Sequence, residues 1–286
     1  MFGLAGVFLL SSVFVVPGDR RGGDETETPP GAATAWCDES LETLDDDICY
    51  APGKVDDEHA PTLVIFLHGL VDANTTWQHQ QQKGFALYAK RWGFSMIAPP
   101  GRAGLGPKRK DDQIGWPTAE SAREGVEDEL IASWRKARET IEKRNGKKFE
   151  RVLVMGFSNG AYYSSSLALR GKLEDVDGYG IFAGGSAFPG AERLGKATKT
   201  RKPVFVGLAS KDSTAKDGAS LVKLLKKLGW PHKSMSNKVG HVVAEQQLEA
   251  ALVYLRNEKA KAEKAKAEKA KPEKKPQKKP EKKKAK

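Results

Sequence analysis

Apolar runs with little polar alternation recur along the chain, at Thr62–Leu67, Phe94–Ala98, Val152–Met155, Gly178–Ala183 and Pro203–Ala209. A strand that alternates buries one face, whereas a strand without alternation is buried on both. Between these runs, apolar residues recur three or four apart, which predicts helices over Thr76–Trp92, from Pro117 to Asn145-Gly146, over Ala161–Leu169, over Thr214–Leu228 and over Val242–Arg256. Pro117 suits a first helical turn, where no amide donor is needed. A short strand is expected near Lys233–Ser236, and Ile48-Cys49-Tyr50 reads as an edge strand. Strands and helices in alternation predict an α/β domain: a mostly parallel, doubly wound sheet with helices on both faces. The connection from Gly185 to Pro203 is too short to hold a lid domain.

The ends of the chain have a different character. Phe2–Val16 is apolar and followed by Pro17-Gly18 and an arginine pair, which fits a signal or anchor segment over residues 1–18 and implies export. Residues 19–35, rich in Gly, Thr, Pro and acidic side chains, read as a disordered spacer. The globular domain is expected over 36–256, with a Lys-rich low-complexity tail over 257–286. That tail holds 14 lysines and 5 glutamates, so +9 of the net +11 charge lies there, leaving 11 − 9 = +2 for the body. The body therefore carries no basic signature of a specific nucleic-acid site, although the tail suits an anionic surface or polymer. The two cysteines, Cys37 and Cys49, match no zinc spacing. Export makes a disulfide between them the expected state; in a reducing compartment they would be two buried thiols. No cofactor and no metal are implied.

Candidate chemistry centres on Gly156-Phe157-Ser158-Asn159-Gly160, which joins the run ending at Met155 to the helix over 161–169. Strand, G-x-S-x-G, helix is a turn that holds the serine hydroxyl clear of the sheet, and side chains at the glycine positions would collide with the neighbouring strand and helix. A serine hydroxyl needs an adjacent base to act as a nucleophile. Among the five histidines, His59 lies in the approach to the first buried strand, and His79 and His232 sit among polar residues. His68 follows a strand end, and His241 lies in a loop before the last helix. Asp212 stands directly after the run ending at Ala209, with Asp217 as the nearest rival acid and Asp175 and Asp177 further away.

The order Ser158, Asp212, His241, together with Phe66-Leu-His-Gly-Leu70 and the elbow, resembles the α/β-hydrolase superfamily over about Pro61 to Arg256. Within it the chain is similar to the carboxylesterase/acyl-thioesterase branch and the polyhydroxyalkanoate-depolymerase-like enzymes. The resemblance implies Ser158 as nucleophile, His241 as general base, Asp212 as its orienting acid, and the backbone amides of Leu70 and Asn159 as an oxyanion hole. His68 then shapes the turn before Leu70. Two departures stand out: Ser213-Thr214 follow the acid where relatives often carry an apolar-Pro turn, and Val71 replaces a frequent glycine. Trp77, Trp116, Tyr162 and Phe188 are candidate walls of an acyl pocket. The implied activity is hydrolysis of small or polymeric carboxylic (thio)esters through an acyl-enzyme. The alternative is an idle or peptidase-like hydrolase fold whose Lys-rich tail holds an anionic polymer or surface.

Overall fold

The computed structural model describes residues 35–53, 60–73, 75–107 and 110–269. The expected signal or anchor segment, the spacer up to residue 34, His59 and the tail from residue 270 lie outside the described residues.

In chain order the strands and helices are β1 (Glu42–Thr43), β2 (Cys49–Ala51), β3 (Thr62–Leu67), β4 (Val71–Asp72), α1 (Trp77–Trp92), β5 (Ser95–Ala98), β6 (Arg102–Ala103) and β7 (Gln113–Gly115). There follow α2 (Glu127–Asn145), β8 (Arg151–Phe157), α3 (Asn159–Arg170), β9 (Gly178–Phe182), α4 (Ala191–Ala197), β10 (Val204–Ala209), α5 (Ala215–Lys227), β11 (His232–Asn237) and α6 (Glu245–Lys269). The main sheet has eight strands in the order β1-β2-β5-β3-β8-β9-β10-β11. From β5 to β11 every pairing is parallel, and only β1 and β2 run against their neighbours. The segment Ile48-Cys49-Tyr50 is thus next to the edge rather than on it, because β1 pairs outside β2.

Burial explains why the central strands show no alternation in sequence. In β3, Leu63, Ile65 and Leu67 enter one apolar cluster while Val64 and Phe66 enter the other, and Val152 and Val154 of β8 divide from Leu153 and Met155 in the same way. Helices α2, α3 and α5 cover the first face, and α1 and α6 cover the second. The β9–β10 connection contains only the seven-residue α4, and no lid domain covers the sheet end among the described residues.

Two helix boundaries differ from the sequence expectation. Pro117 does not begin a helix: the Thr118 amide turns back to the Trp116 carbonyl, a short 3-10 turn follows at Glu120–Ala122, and Gly125 takes φ 74°. Helix α2 begins only at Glu127, a buried residue whose carboxylate receives both terminal nitrogens of Arg170 at 2.5 and 2.8 Å. At the other end of the chain, α6 begins at Glu245 rather than Val242; its continuation to Lys269 takes in the first half of the Lys-rich segment, whose Glu and Lys residues pair along the helix. Lys259 of α6 bonds Asp177 at 3.0 Å and the Glu150 carbonyl, just ahead of β9 and β8, so the helix leaves the body at the sheet end opposite Ser158.

Two smaller features shape the other end. Strands β4, β7 and β6 form a three-stranded antiparallel sheet that binds the loop after β3 to the loop after β5. Cys37 and Cys49 form a disulfide, which ties the start of the described chain to β2 and leaves Trp36 packed on the His68 ring at 4.9 Å.

Candidate active site

The turn between β8 and α3 places Ser158 at φ 52°, ψ −116°, a region that L-residues occupy at a cost of about 1–3 kcal/mol. The surroundings hold it there through main-chain bonds: the Ser158 amide donates to the Phe182 carbonyl and the Gly160 amide to the His68 carbonyl, each at 3.0 Å. The flanking glycines are required by close approach. A Cβ on Gly156 would lie 2.3 Å from the Gly160 carbonyl oxygen, and one on Gly160 would lie 2.1 Å from the Leu67 carbonyl oxygen.

Loops after β10 and β11 bring two more groups to this point. His241 Nε2 lies 2.8 Å from Ser158 Oγ, and His241 Nδ1 lies 2.5 Å from Asp212 Oδ2. The network assigns the tautomer: Nδ1–H donates to the carboxylate, and Nε2 accepts from the serine hydroxyl. The imidazole packs on the Phe157 ring at 4.9 Å. Burial pushes the Asp212 carboxyl up, but bonds from His241 and from Thr214 outweigh it and hold the group below the usual carboxylate range. Thr214 Oγ1 donates to Oδ2 at 2.8 Å, while the Thr214 amide and Ser213 Oγ donate to Oδ1 at 3.2 and 3.3 Å. The Ser-Thr pair that departs from the family pattern is therefore what satisfies the carboxylate. The other acids are engaged elsewhere: Asp217 accepts from Tyr162, Asp175 from Arg135 and Arg138, and Asp177 from the Val152 amide and Lys259.

Beside Ser158, the amides of Leu70 and Asn159 have no acceptor among the described residues. Their neighbours are taken, Gly69 N–H by Gln81 Oε1 and Gly160 N–H by the His68 carbonyl, each at 3.0 Å. The first turn of α3 adds its partial positive charge at the same place. The arrangement sets a hydroxyl against an imidazole that a carboxylate holds, with free amide donors beside it.

His68 is buried beneath this turn with its ring between Trp36 and Trp116, and both nitrogens are used: Nε2 accepts from the Gly101 amide at 3.0 Å and Nδ1 donates to the Gly69 carbonyl at 2.5 Å. Burial drives its pKa from 6.5 down to about 4, only partly opposed by the bond to Gly69. Between these values the unfolded chain binds a proton that the folded chain refuses, so stability is complete above about pH 6.5 and falls as pH drops towards 4. The expected loss across that window is on the order of 3 kcal/mol. Urea unfolding of the native protein and of His68→Asn at a series of pH values checks this: the variant is weaker at pH 7 but should lack this limb of the curve, and parallel curves would refute the assignment.

The four aromatic residues expected to line a pocket separate into different roles. Trp116 is fully buried and cannot touch a substrate; its ring stacks on Tyr163 and meets Trp134 edge-on, because its indole N–H finds an acceptor inside, at the His68 carbonyl. Phe188 is half-buried against the α2/α3/α5 cluster. Trp77 opens α1 with 45% of its surface exposed. Tyr162 is one turn along α3 from Ser158, with its hydroxyl 2.5 Å from Asp217 and its pKa pushed up, chiefly by burial and then by that carboxylate. Sequence reasoning missed the Asn159 side chain: its Oδ1 accepts the Trp116 amide at 2.7 Å, a bond between residues 43 apart that no local pattern announces. Among the described residues no cluster of His, Cys, Asp and Glu has the arrangement of a metal site.

No protein-family model matches the chain, and no curated protein matches it in sequence. Solved structures do. Esterase PE8 aligns at 18% identity with a TM-score of 0.51, over 73% of this chain and 96% of that one. YahD, solved with malic acid, aligns at 18% identity and TM-score 0.47 over 74% and 98% of the two chains. SOBER1 from Arabidopsis thaliana aligns at 16% identity and TM-score 0.46 over 69% and 99%. With its six-strand parallel core, its helices on both faces and its likeness to PE8, this chain has the α/β-hydrolase fold.

Proposed function

We propose that this protein is a serine hydrolase of carboxylic esters. The observation that carries the reading is Ser158 Oγ, held in a strained turn 2.8 Å from an imidazole that is itself bonded to a carboxylate. In this reading Ser158 Oγ attacks the acyl carbon as its proton passes to His241 Nε2. The carbonyl oxygen gains negative charge and is met by the amides of Leu70 and Asn159, for which one donor is typically worth about 3 kcal/mol in the barrier. The tetrahedral adduct collapses, the C–O bond to the alcohol breaks, and His241 gives its proton to the leaving oxygen. Water then attacks the acyl-enzyme by the same route in reverse and frees the acid. Asp212 remains ionised throughout, which its depressed pKa supports. The structural neighbour PE8 is named as an esterase, which is the same class of chemistry.

A fluorophosphonate probe tests the reading directly, because its phosphorus reacts far faster with a hydroxyl activated in this way than with an ordinary one. The native protein should be labelled once, with the adduct mapped by peptide mass spectrometry to Ser158. Absence of labelling, or an adduct on another residue, would overturn the proposal.

A further inference from the structure

Resting on the reading of Ser158 as nucleophile, we propose that Trp116 is a positioning residue that sets the distance and aim of the two oxyanion donors. Its two N–H groups reach the two segments that supply them. The amide N–H donates to Asn159 Oδ1 at 2.7 Å, and Asn159 supplies one donor from its own backbone. The indole N–H donates to the His68 carbonyl at 2.9 Å, two residues before Leu70, which supplies the other.

Peptide geometry carries the effect from Trp116 to Leu70. In a trans peptide the C=O and N–H point in opposite directions, so a unit held at both edges cannot rotate. The His68–Gly69 unit is held in this way: its carbonyl receives Trp116 Nε1–H and Gly160 N–H, and its N–H reaches Gln81 Oε1. The following Gly69–Leu70 unit is held at its carbonyl by His68 Nδ1–H, which leaves the Leu70 N–H aimed the other way, without a protein acceptor among the described residues.

The clamp itself is firmly seated. The Trp116 ring stacks on Tyr163 at 5.9 Å and crosses Trp134 at 5.8 Å, and Tyr163 OH bonds the buried Glu127 that Arg170 holds. The residue before it has no room for a side chain: a Cβ on Gly115 would lie 2.9 Å from Asn159 Oδ1 and 3.0 Å from Leu70 Cδ1. Donors must be placed before the charge develops if they are to lower a barrier, so loosening one anchor costs rate rather than substrate affinity.

The test replaces the indole N–H alone. Benzothienylalanine at position 116 keeps the bicyclic ring and exchanges N–H for sulfur, and Trp116→Phe is the genetically simple companion. Both are compared with the native protein on p-nitrophenyl acetate, with active sites counted by fluorophosphonate. The expected result is a kcat lower by about 10-fold per titrated site with KM unchanged, and a parallel loss of affinity for a phenylboronic acid, whose tetrahedral adduct places an oxygen between the donors. A merely structural tryptophan would lower the melting temperature and the titratable fraction but leave kcat per site and boronate affinity alone. That outcome in the benzothienyl protein overturns this inference while the esterase reading stands. A native protein that takes no label overturns both.

Discussion

Ser158→Ala should lower turnover of p-nitrophenyl acetate by ~10⁶-fold while leaving KM within a few-fold. The asymmetry follows from where the hydroxyl acts. Its oxygen forms the new bond in the transition state but adds little to holding the substrate, which rests on surrounding walls and amides. The variant should also fold normally. The turn at residue 158 is imposed by main-chain bonds to Phe182 and His68, and alanine bears the positive φ no worse than serine does. Removing the Oγ leaves His241 bonded to Asp212, and the Leu70 and Asn159 amides remain able to polarise a bound carbonyl. A residual rate above that in water is therefore expected. Steady-state kinetics with circular dichroism on the same preparation checks this, and a variant that keeps more than a hundredth of native kcat would sink the nucleophile assignment.

Much of the fold is legible in the sequence because buried strands and helix faces announce themselves locally. Thr62–Leu67 and Val152–Met155 are apolar at nearly every position because both faces of β3 and β8 are covered. Ser158, Asp212 and His241 are traceable for a related reason. Each follows closely on a strand, and strands of a parallel sheet deliver their carboxyl ends to one place. What stays hidden depends on contacts distant in sequence. Trp116 after Gly115 looks like any loop aromatic, and its burial becomes evident only when the partners of its two N–H groups, on His68 and Asn159, are known. The start of α2 escapes a local reading because Pro117 is a valid helix-start signal. The chain instead spends residues 117–126 returning from the Trp116 seat, and it enters the helix only where Glu127 meets Arg170 across the fold.

Asp212→Asn should lower kcat by about 10⁴-fold, whereas Asp217→Asn should stay within a few-fold of native. The two acids lie on the same loop and the following helix, so the comparison isolates the bond to His241. Asp212 accepts the Nδ1 proton of His241 at 2.5 Å, and three further donors from Ser213 and Thr214 occupy its remaining lone pairs. An asparagine that keeps its oxygen in the Oδ1 place, on the Thr214 amide and Ser213 Oγ, turns its NH₂ towards the imidazole, and the Thr214 hydroxyl rotates to accept from that NH₂. A donor facing Nδ1 favours the tautomer that carries its proton on Nε2, where it points at Ser158 Oγ and cannot receive the serine proton. The geometry survives and the base is lost. Asp217, by contrast, holds the Tyr162 hydroxyl, and an asparagine oxygen can accept that bond as a carboxylate does. Turnover of a p-nitrophenyl ester, corrected for the fraction of folded protein, distinguishes the two. A normal rate for Asp212→Asn with a depressed one for Asp217→Asn would transfer the orienting role to the second acid.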